Sequence, residues 1–132
     1  PFIDIDALSR ELGADPFPDT VLRPVVFEPT SGKWQGEPCY GFQIHPVTPE
    51  KFTPYTVSLK LLQAVMKLYP DEFDWREPPY EYEYDRLPID LIIGDPAIRQ
   101  HLADGRSVDD MVASWQADLD EFKEISQKYY LY

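Results

Sequence analysis

The sequence contains one cysteine, Cys39, and two histidines among 132 residues. A single thiol excludes an internal disulfide, and by itself it does not separate a reducing compartment from an oxidising one. Cys39, His45 and His101 do not form the closely spaced set of ligands that a zinc site requires. We therefore expect no metal and no cofactor.

Positive charge and long apolar runs are also scarce. Lys and Arg number 12 against 24 Asp and Glu, which gives a net charge of -12. A field of this sign repels phosphate groups and anionic lipids within a Debye length of about 10 Å, so we expect neither nucleic acid nor a membrane as a partner. A bilayer span needs about 20 consecutive apolar residues, and no stretch of the sequence approaches that length.

The size of the chain bounds its domain organisation. With 132 residues, 43% of them hydrophobic, residues 1–132 are predicted to form one domain around a single core. The first residues lack the charged-then-apolar plan of a signal peptide. Because the chain also opens at Pro1 without a start methionine, we interpret it as the C-terminal part of a longer protein.

Local patterns predict a mixed α/β fold, of the α+β type, with a small mixed sheet. Residues 21–27 are rich in β-branched side chains and predict a strand, which Pro24 moves to an edge or a bulge. Residues 40–45 alternate cleanly and predict a second strand. Residues 71–88 have no helical period and predict irregular structure, and residues 90–94 indicate a short buried strand or turn.

Helix signals complete this prediction, with three to four helices packed on the sheet. Each predicted helix has an apolar stripe or a start and stop signal, such as Thr-Pro or Ser at the beginning and Gly at the end. The last is a long C-terminal helix that begins after Ser107, with one apolar face for about six turns. The predicted helices cover residues 5–12, 54–69, 96–103 and 107–129.

Three acids suggest, at first, a catalytic pair. Glu81, Glu83 and Asp85 alternate, so in an extended chain they would share a face about 7 Å apart, within the range of about 5 to 9 Å that glycoside hydrolysis uses. The alternative, which we favour, is a solvated acidic edge with the alternating tyrosines packed inward: Tyr80, Tyr82 and Tyr84. A Cys39–His45 nucleophile pair is disfavoured, because an extended segment separates the two residues by about 20 Å.

The loop and strand at residues 30–45 concentrate a different mixture of groups: a cation, an aromatic plane, two amides, an acid and an imidazole. Hydroxyl and N-acetyl groups of a sugar accept such amide and imidazole hydrogen bonds, and a lactyl carboxylate requires Lys or Arg. The alternative is an ordinary loop, with Trp34 in the core and with Gln43 and His45 on a solvated sheet face. Composition alone leaves both interpretations open.

At these residues the sequence resembles the exo-β-N-acetylmuramidase (NamZ) family, whose C-terminal region carries a Lys-x-x-Gly-Glu-x-Cys-x-Gly-x-x-Ile-His-like run. The likeness continues through residues 52–54, 68–70, 85–94, 114–116 and 129–132, so it covers nearly the whole chain. The residues that fall in place in the run are Lys33, Gly36, Glu37, Cys39, Gly41, Gln43, Ile44 and His45.

The resemblance implies a two-domain enzyme that removes terminal N-acetylmuramic acid from the non-reducing ends of peptidoglycan fragments. It implies that the catalytic glutamate lies on an N-terminal domain of the same chain, and that this region is a smaller domain with a barwin-like β core that lines the cleft. The isolated region would then be inactive, and the parent protein periplasmic or extracellular.

The residues expected to bind the peptidoglycan-derived sugar are Lys33, Glu37, Gln43, His45 and Arg86. No catalytic residue is expected in this chain. Two alternatives remain for the region: a non-catalytic scaffold that only supports the other domain, and an autonomous carbohydrate-binding module.

Overall fold

A computed structural model describes residues 1–131. Within that range it has a two-stranded antiparallel sheet and six α-helices, which confirms the mixed α/β class, although the sheet is antiparallel and not mixed. The helices number more than predicted, because residues 88–93 add one and the last predicted helix is divided. The elements are α1 (Ile5–Leu12), β1 (Thr20–Phe27), β2 (Cys39–Pro46), a 3₁₀ turn (Pro49–Lys51), α2 (Pro54–Leu68), α3 (Pro88–Ile93), α4 (Pro96–Ala103), α5 (Val108–Ser114) and α6 (Gln116–Gln127).

The first helix has the start and stop signals that its sequence predicts. One carboxylate oxygen of Asp4 accepts hydrogen bonds from the backbone N–H groups of Asp6 and Ala7, at 2.8 and 3.0 Å. The helix ends at Gly13, whose φ of 91° favours glycine. The backbone N–H of Asp4 also donates to the Tyr69 hydroxyl at 2.7 Å, which ties the start of α1 to the end of α2.

The second helix begins after Thr53, as predicted, but not by the predicted side-chain cap. Among the described residues, no N–H donates to the Thr53 hydroxyl; its carbonyl instead accepts from Val57 N–H at 3.1 Å. Pro54 at the first helical position has no N–H to satisfy, so the start is stable without that cap. The helix buries Val57, Leu59 and Ala64.

The main core lies where α2, α4 and α5 meet. Its buried side chains are apolar, and each stabilises the fold by about 1.5 to 3 kcal/mol relative to an exposed position. Partly buried Leu62, Met66 and Trp115 pack around it. The core residues are Leu59, Ile98, Leu102, Val108 and Met111.

Residues 88–93 form α3, so the prediction of a strand or turn at 90–94 is wrong. Pro88 occupies the first turn, and Gly94 ends the helix in the left-handed conformation with φ 89°. The Gly94 N–H donates to the Asp90 carbonyl at 3.0 Å. The periodicity of a short apolar run does not distinguish a strand from a helix. Here the flanking Pro and Gly favour a helix.

The C-terminal helix is present, but it is not continuous over six turns. The hydroxyl of Ser107 accepts from Asp110 N–H at 3.2 Å, as its predicted N-cap role requires. The helix is then interrupted at Trp115, whose N–H donates to the Val112 carbonyl at 3.2 Å and whose ring packs against Tyr55 with centroids 5.8 Å apart. The interruption divides the predicted helix into α5 and α6.

The sheet pairs β1 and β2 along their whole lengths, with Pro24 opposite Phe42. In a two-stranded sheet both strands are edges, so the predicted edge position of Pro24 is confirmed. Large apolar side chains remain exposed on both faces, among them Phe27 and Ile44. Across residues 1–131, no helix is both long and apolar enough to cross a membrane.

Candidate functional site

One face of the sheet carries the two polar side chains that alternation predicts. Gln43 and His45 share this face, with Arg23 and Val21 as their respective partners on β1. Gln43, His45 and Arg23 are all exposed. Side chains two residues apart on a strand lie about 7 Å from each other, so these groups reach a ligand of the size of one sugar ring.

Arg23 is the residue of this face that sequence reasoning missed. Its guanidinium Nη2 donates to the side-chain carbonyl oxygen of Gln43. The bond occupies the amide's acceptor and leaves its NH₂ group to donate elsewhere, while the guanidinium keeps further N–H donors. Alternation along β1 placed Arg23 on a face, but only the register with β2 shows that this is the face of Gln43.

Lys33 lies in the loop that joins the two strands. Its ammonium nitrogen is 4.9 Å from the centroid of the Trp34 ring. Trp34 is half-buried and packs edge-on against Phe2 at 6.2 Å, and Phe2 in turn contacts Tyr69 at 5.3 Å. Trp34 therefore belongs to a peripheral aromatic cluster. The alternative that placed Trp34 in the core is wrong, because the core lies around Leu59.

The backbone of this loop is fixed by its own hydrogen bonds. Gly36 N–H donates to the Pro29 carbonyl and Glu37 N–H to the Trp34 carbonyl, both at 3.0 Å. Trp34 adopts the left-handed conformation at φ 66°, which costs about 1 to 2 kcal/mol in a non-glycine residue. The Glu37 side chain is exposed at the end of this turn.

Arg86 lies in a separate turn that Glu83 organises. One Glu83 oxygen accepts from the backbone N–H groups of Tyr84, Asp85 and Arg86, at 3.0 to 3.3 Å. The other accepts from Arg86 Nε at 2.9 Å and Nη2 at 2.7 Å. These bonds, the one from Asp85 N–H foremost, lower the pKa of Glu83 to about 2.

This turn excludes the catalytic pair that the acids suggested at first, and it corrects part of the alternative that we favoured. Residues 80–83 close a turn through reciprocal Tyr80–Glu83 backbone bonds of 3.0 Å, so the three acids do not share the face of an extended strand. A carboxyl with a pKa near 2 is also ionised at neutral pH and is unsuited to act as a general acid. Two of the three tyrosines are not packed inward either, since Tyr82 is 93% and Tyr84 68% exposed, whereas Tyr80 is half-buried.

The five predicted sugar-binding residues therefore lie in three places. Gln43 and His45 share the sheet face with Arg23, Lys33 and Glu37 belong to the loop at the closed end of the hairpin, and Arg86 belongs to the turn before α3. Six residues of β2 separate that closed end from His45, a distance of about 20 Å. Among residues 1–131, no hydrogen bond or ion pair joins Arg86 to the other four.

Within residues 1–131, neither a Cys–His pair nor a metal-binding cluster is present. Cys39 is buried and His45 exposed at the other end of β2, which removes the Cys–His pair. In the part of the chain that the structure describes, no three His, Cys, Asp or Glu side chains form a cluster that could hold a metal ion.

Known proteins are similar to this chain in sequence and in fold. The family model "Exo-beta-N-acetylmuramidase NamZ, C-terminal" matches residues 1–132. The peptidoglycan beta-N-acetylmuramidase NamZ of Bacillus subtilis (strain 168) is 27% identical over 132 residues, which are 100% of this chain and 30% of that protein.

A solved structure of a DUF1343 family protein from Bacteroides fragilis NCTC 9343 superimposes with a TM-score of 0.75 at 26% identity, over 99% of this chain and 33% of that one. The chain thus spans about a third of the length of both relatives. Because the family model matches the whole sequence, the chain belongs to the NamZ family and corresponds to its C-terminal region.

Proposed function

We propose that this chain is the C-terminal, non-catalytic domain of a peptidoglycan glycosidase that removes terminal N-acetylmuramic acid from non-reducing ends. In this proposal residues 1–132 line one side of the substrate cleft, and the catalytic carboxylate lies on an N-terminal domain of the same protein. The observation that carries the proposal is the sheet face with Arg23, Gln43 and His45 exposed side by side.

The chemistry of that face suits an acetylated, acidic sugar. The guanidinium of Arg23 pairs with a carboxylate, the NH₂ group of Gln43 donates to an acetamido carbonyl, and the imidazole of His45 bonds a hydroxyl. The face is open on the solvent side, so it surrounds only part of a ring. We therefore expect weak binding by this domain alone and full binding when the other domain supplies the opposite wall.

Lys33, Glu37 and Arg86 remain predicted contacts of the sugar or of the groups that orient it. Lys33 and Glu37 extend the polar surface beyond the closed end of the hairpin, where a longer saccharide or its peptide would lie. Arg86 is held by Glu83, so its guanidinium would reach the ligand in a fixed orientation.

We also propose that the parent protein is periplasmic or extracellular, because its polymeric substrate lies outside the cytoplasmic membrane. Fractionation of cells that express the full-length protein tests this. Recovery of the protein only in the cytoplasmic fraction would contradict it.

Replacing polar groups of the sheet face in the full-length enzyme tests the site. Gln43→Ala and His45→Ala should each remove about 1 to 3 kcal/mol of transition-state binding, the usual effect of a lost partner for a polar group, which is about 5- to 150-fold in kcat/KM. Ile44→Val, on the opposite face of the same strand, serves as the control. Unchanged kcat/KM in both alanine variants would reject the assignment.

A ligand titration separates the proposal from its two alternatives. An N-acetylmuramic acid glycoside added to the isotope-labelled 132-residue chain should shift amide resonances clustered at residues 33–45. No shift at millimolar ligand would favour a pure scaffold. The exposed apolar side chains of the sheet are the observation that supports this alternative. Tight binding to whole peptidoglycan without the other domain would instead indicate a carbohydrate-binding module.

A further inference from the structure

The last helix presents an apolar face to solvent. Among the described residues, α6 contributes no buried side chain. Leu119 is 46%, Phe122 65% and Ile125 44% exposed. The segment that follows continues the same character, with Tyr129 76% exposed.

These side chains form one surface, which we call the α6 stripe: Leu119, Phe122, Ile125 and Tyr129. Spacings of three residues place the first three on one side of α6, and Tyr129 lies in the turn that follows the helix, four residues after Ile125. The stripe continues the one that begins with Met111 and Trp115, which pack in the core around α2 and α4. The interruption at Trp115 thus separates a part of the stripe that is covered from a part that is not.

We propose that the α6 stripe docks onto the portion of the polypeptide outside these 132 residues, and so joins the two domains. This inference rests on the proposed function, in which that portion is the catalytic domain. The chain spans only 30% of the Bacillus relative and 33% of the Bacteroides chain, so in both proteins the remaining polypeptide is about twice as long as this region. A contiguous exposed apolar surface marks an interaction site, and a covalently linked partner reaches it at high effective concentration.

Charge favours this occupant over a second copy of the chain. The other positions of α6 carry four carboxylates against one lysine, and the whole chain has a net charge of -12. Two copies that met through this helix would bring like charges together, which opposes association. The occupant is therefore an apolar groove with a basic rim. The acidic positions are Asp118, Asp120, Glu121 and Glu124, and the lysine is Lys123.

Hydroxyl-radical footprinting of the full-length protein tests the docking. We expect Phe122 and Tyr129 to be modified about fivefold more slowly in the native protein than in the urea-unfolded protein, because docking removes them from solvent. Phe122→Asp should raise the Tyr129 rate to that of the unfolded protein. Ala117→Asp, which adds the same charge at an exposed position on the opposite side of α6, should leave Tyr129 protected.

Each outcome decides the docking separately from the proposed function. Modification of both residues at the unfolded rate in the native wild-type protein would overturn the docking. So would protection that is lost on dilution, if sedimentation shows that the protein is a dimer at the higher concentration. Release of N-acetylmuramic acid by the same protein reports on the function alone. An active protein with a reactive stripe rejects only the docking, and an inactive one with a protected stripe rejects only the function.

Discussion

The pair formed by Asp90 and Arg99 joins α3 to α4. Arg99 Nε donates to Asp90 Oδ1 at 2.6 Å and Nη2 donates to Oδ2 at 3.2 Å. The Asp90 side chain is 9% exposed and that of Arg99 27%. The hydrogen bond to Asp90 raises the pKa of Arg99 above its usual value. The substitution Asp90→Asn keeps the shape of this contact but removes its negative charge and one acceptor.

The magnitude of that change follows from the burial of the carboxylate. A hydrogen bond to a charged group stabilises a protein by about 1.5 to 3 kcal/mol, whereas an exposed ion pair contributes about 0.2 to 1 kcal/mol. With the carboxylate largely but not fully buried and the guanidinium partly exposed, we expect Asp90→Asn to lower the free energy of unfolding by about 2 kcal/mol. At about 3 to 5 °C per kcal/mol for a chain of this size, Tm falls by roughly 6 to 10 °C.

A double-mutant cycle in urea isolates the interaction. Asp90→Asn, Arg99→Gln and the double variant should give a coupling energy of about 1 kcal/mol or more. Lys123→Gln is the control, because its 3.8 Å pair with Asp120 is exposed on both sides and should change stability by less than about 0.5 kcal/mol. A coupling energy no larger than the control's effect would refute the assignment of this pair as a stabilising link between α3 and α4.

Two further predictions concern the core and the turn before α3. Leu102 is 2% exposed, so Leu102→Ala should lower the free energy of unfolding in urea by about 2 to 5 kcal/mol. Leu119→Ala, at a 46% exposed site, should lower it by less than about 1 kcal/mol. Equal losses in the two variants would contradict the difference in burial. Because the pKa of Glu83 falls from 4.5 to about 2 on folding, its ionised form stabilises the turn fully above about pH 4.5 and this contribution disappears as pH falls through 2. NMR titration of the carboxyl measures this directly, with a midpoint near 4.5 as the refuting result, and Glu83→Gln should abolish the associated pH dependence.

Helix ends were predictable because their causes are local. At α4 the Asp95 carboxylate accepts from Ala97 N–H at 2.8 Å, and Pro96 occupies the first turn. Two or three adjacent residues supply the whole signal, so the sequence suffices. At residues 90–94 the run itself carries no such signal, and the decisive residues Pro88 and Gly94 lie at its borders.

The burial of a helix stripe was not predictable in the same way. The spacing of Met111, Leu119 and Phe122 predicted one apolar face on a single helix, which the structure divides at Trp115 into α5 and α6. An apolar stripe indicates that a helix packs against an apolar partner. It does not indicate which part of the chain supplies that partner. Met111 is buried against α2 and α4, while Phe122 is 65% exposed, a difference that arises from tertiary packing.

The residues of the candidate site also differ in whether local sequence or tertiary structure determines their position. Alternation within one strand placed Gln43 and His45 on a common face, since a strand has a period of two residues. The face of Arg23 could be assigned only from the pairing between the strands. The sequence leaves the register of that pairing open, because Pro24 disturbs the hydrogen-bond ladder. Glu83 required the closure of a turn, in which one carboxylate accepts three backbone N–H groups.

A chain with a net charge of -12 and a proposed anionic sugar are compatible because the two charges act over different distances. Arg23 in direct contact with a carboxylate contributes about 1 to 4 kcal/mol at 4 Å for effective dielectric constants of 80 to 20. Acidic side chains beyond about 10 Å are largely screened at 0.1 M salt. Local cations therefore decide recognition, and the excess of acids opposes binding mainly at low ionic strength. Since Arg23 is the guanidinium that the sheet face offers, further cations for an anionic sugar would have to come from the N-terminal domain that we propose.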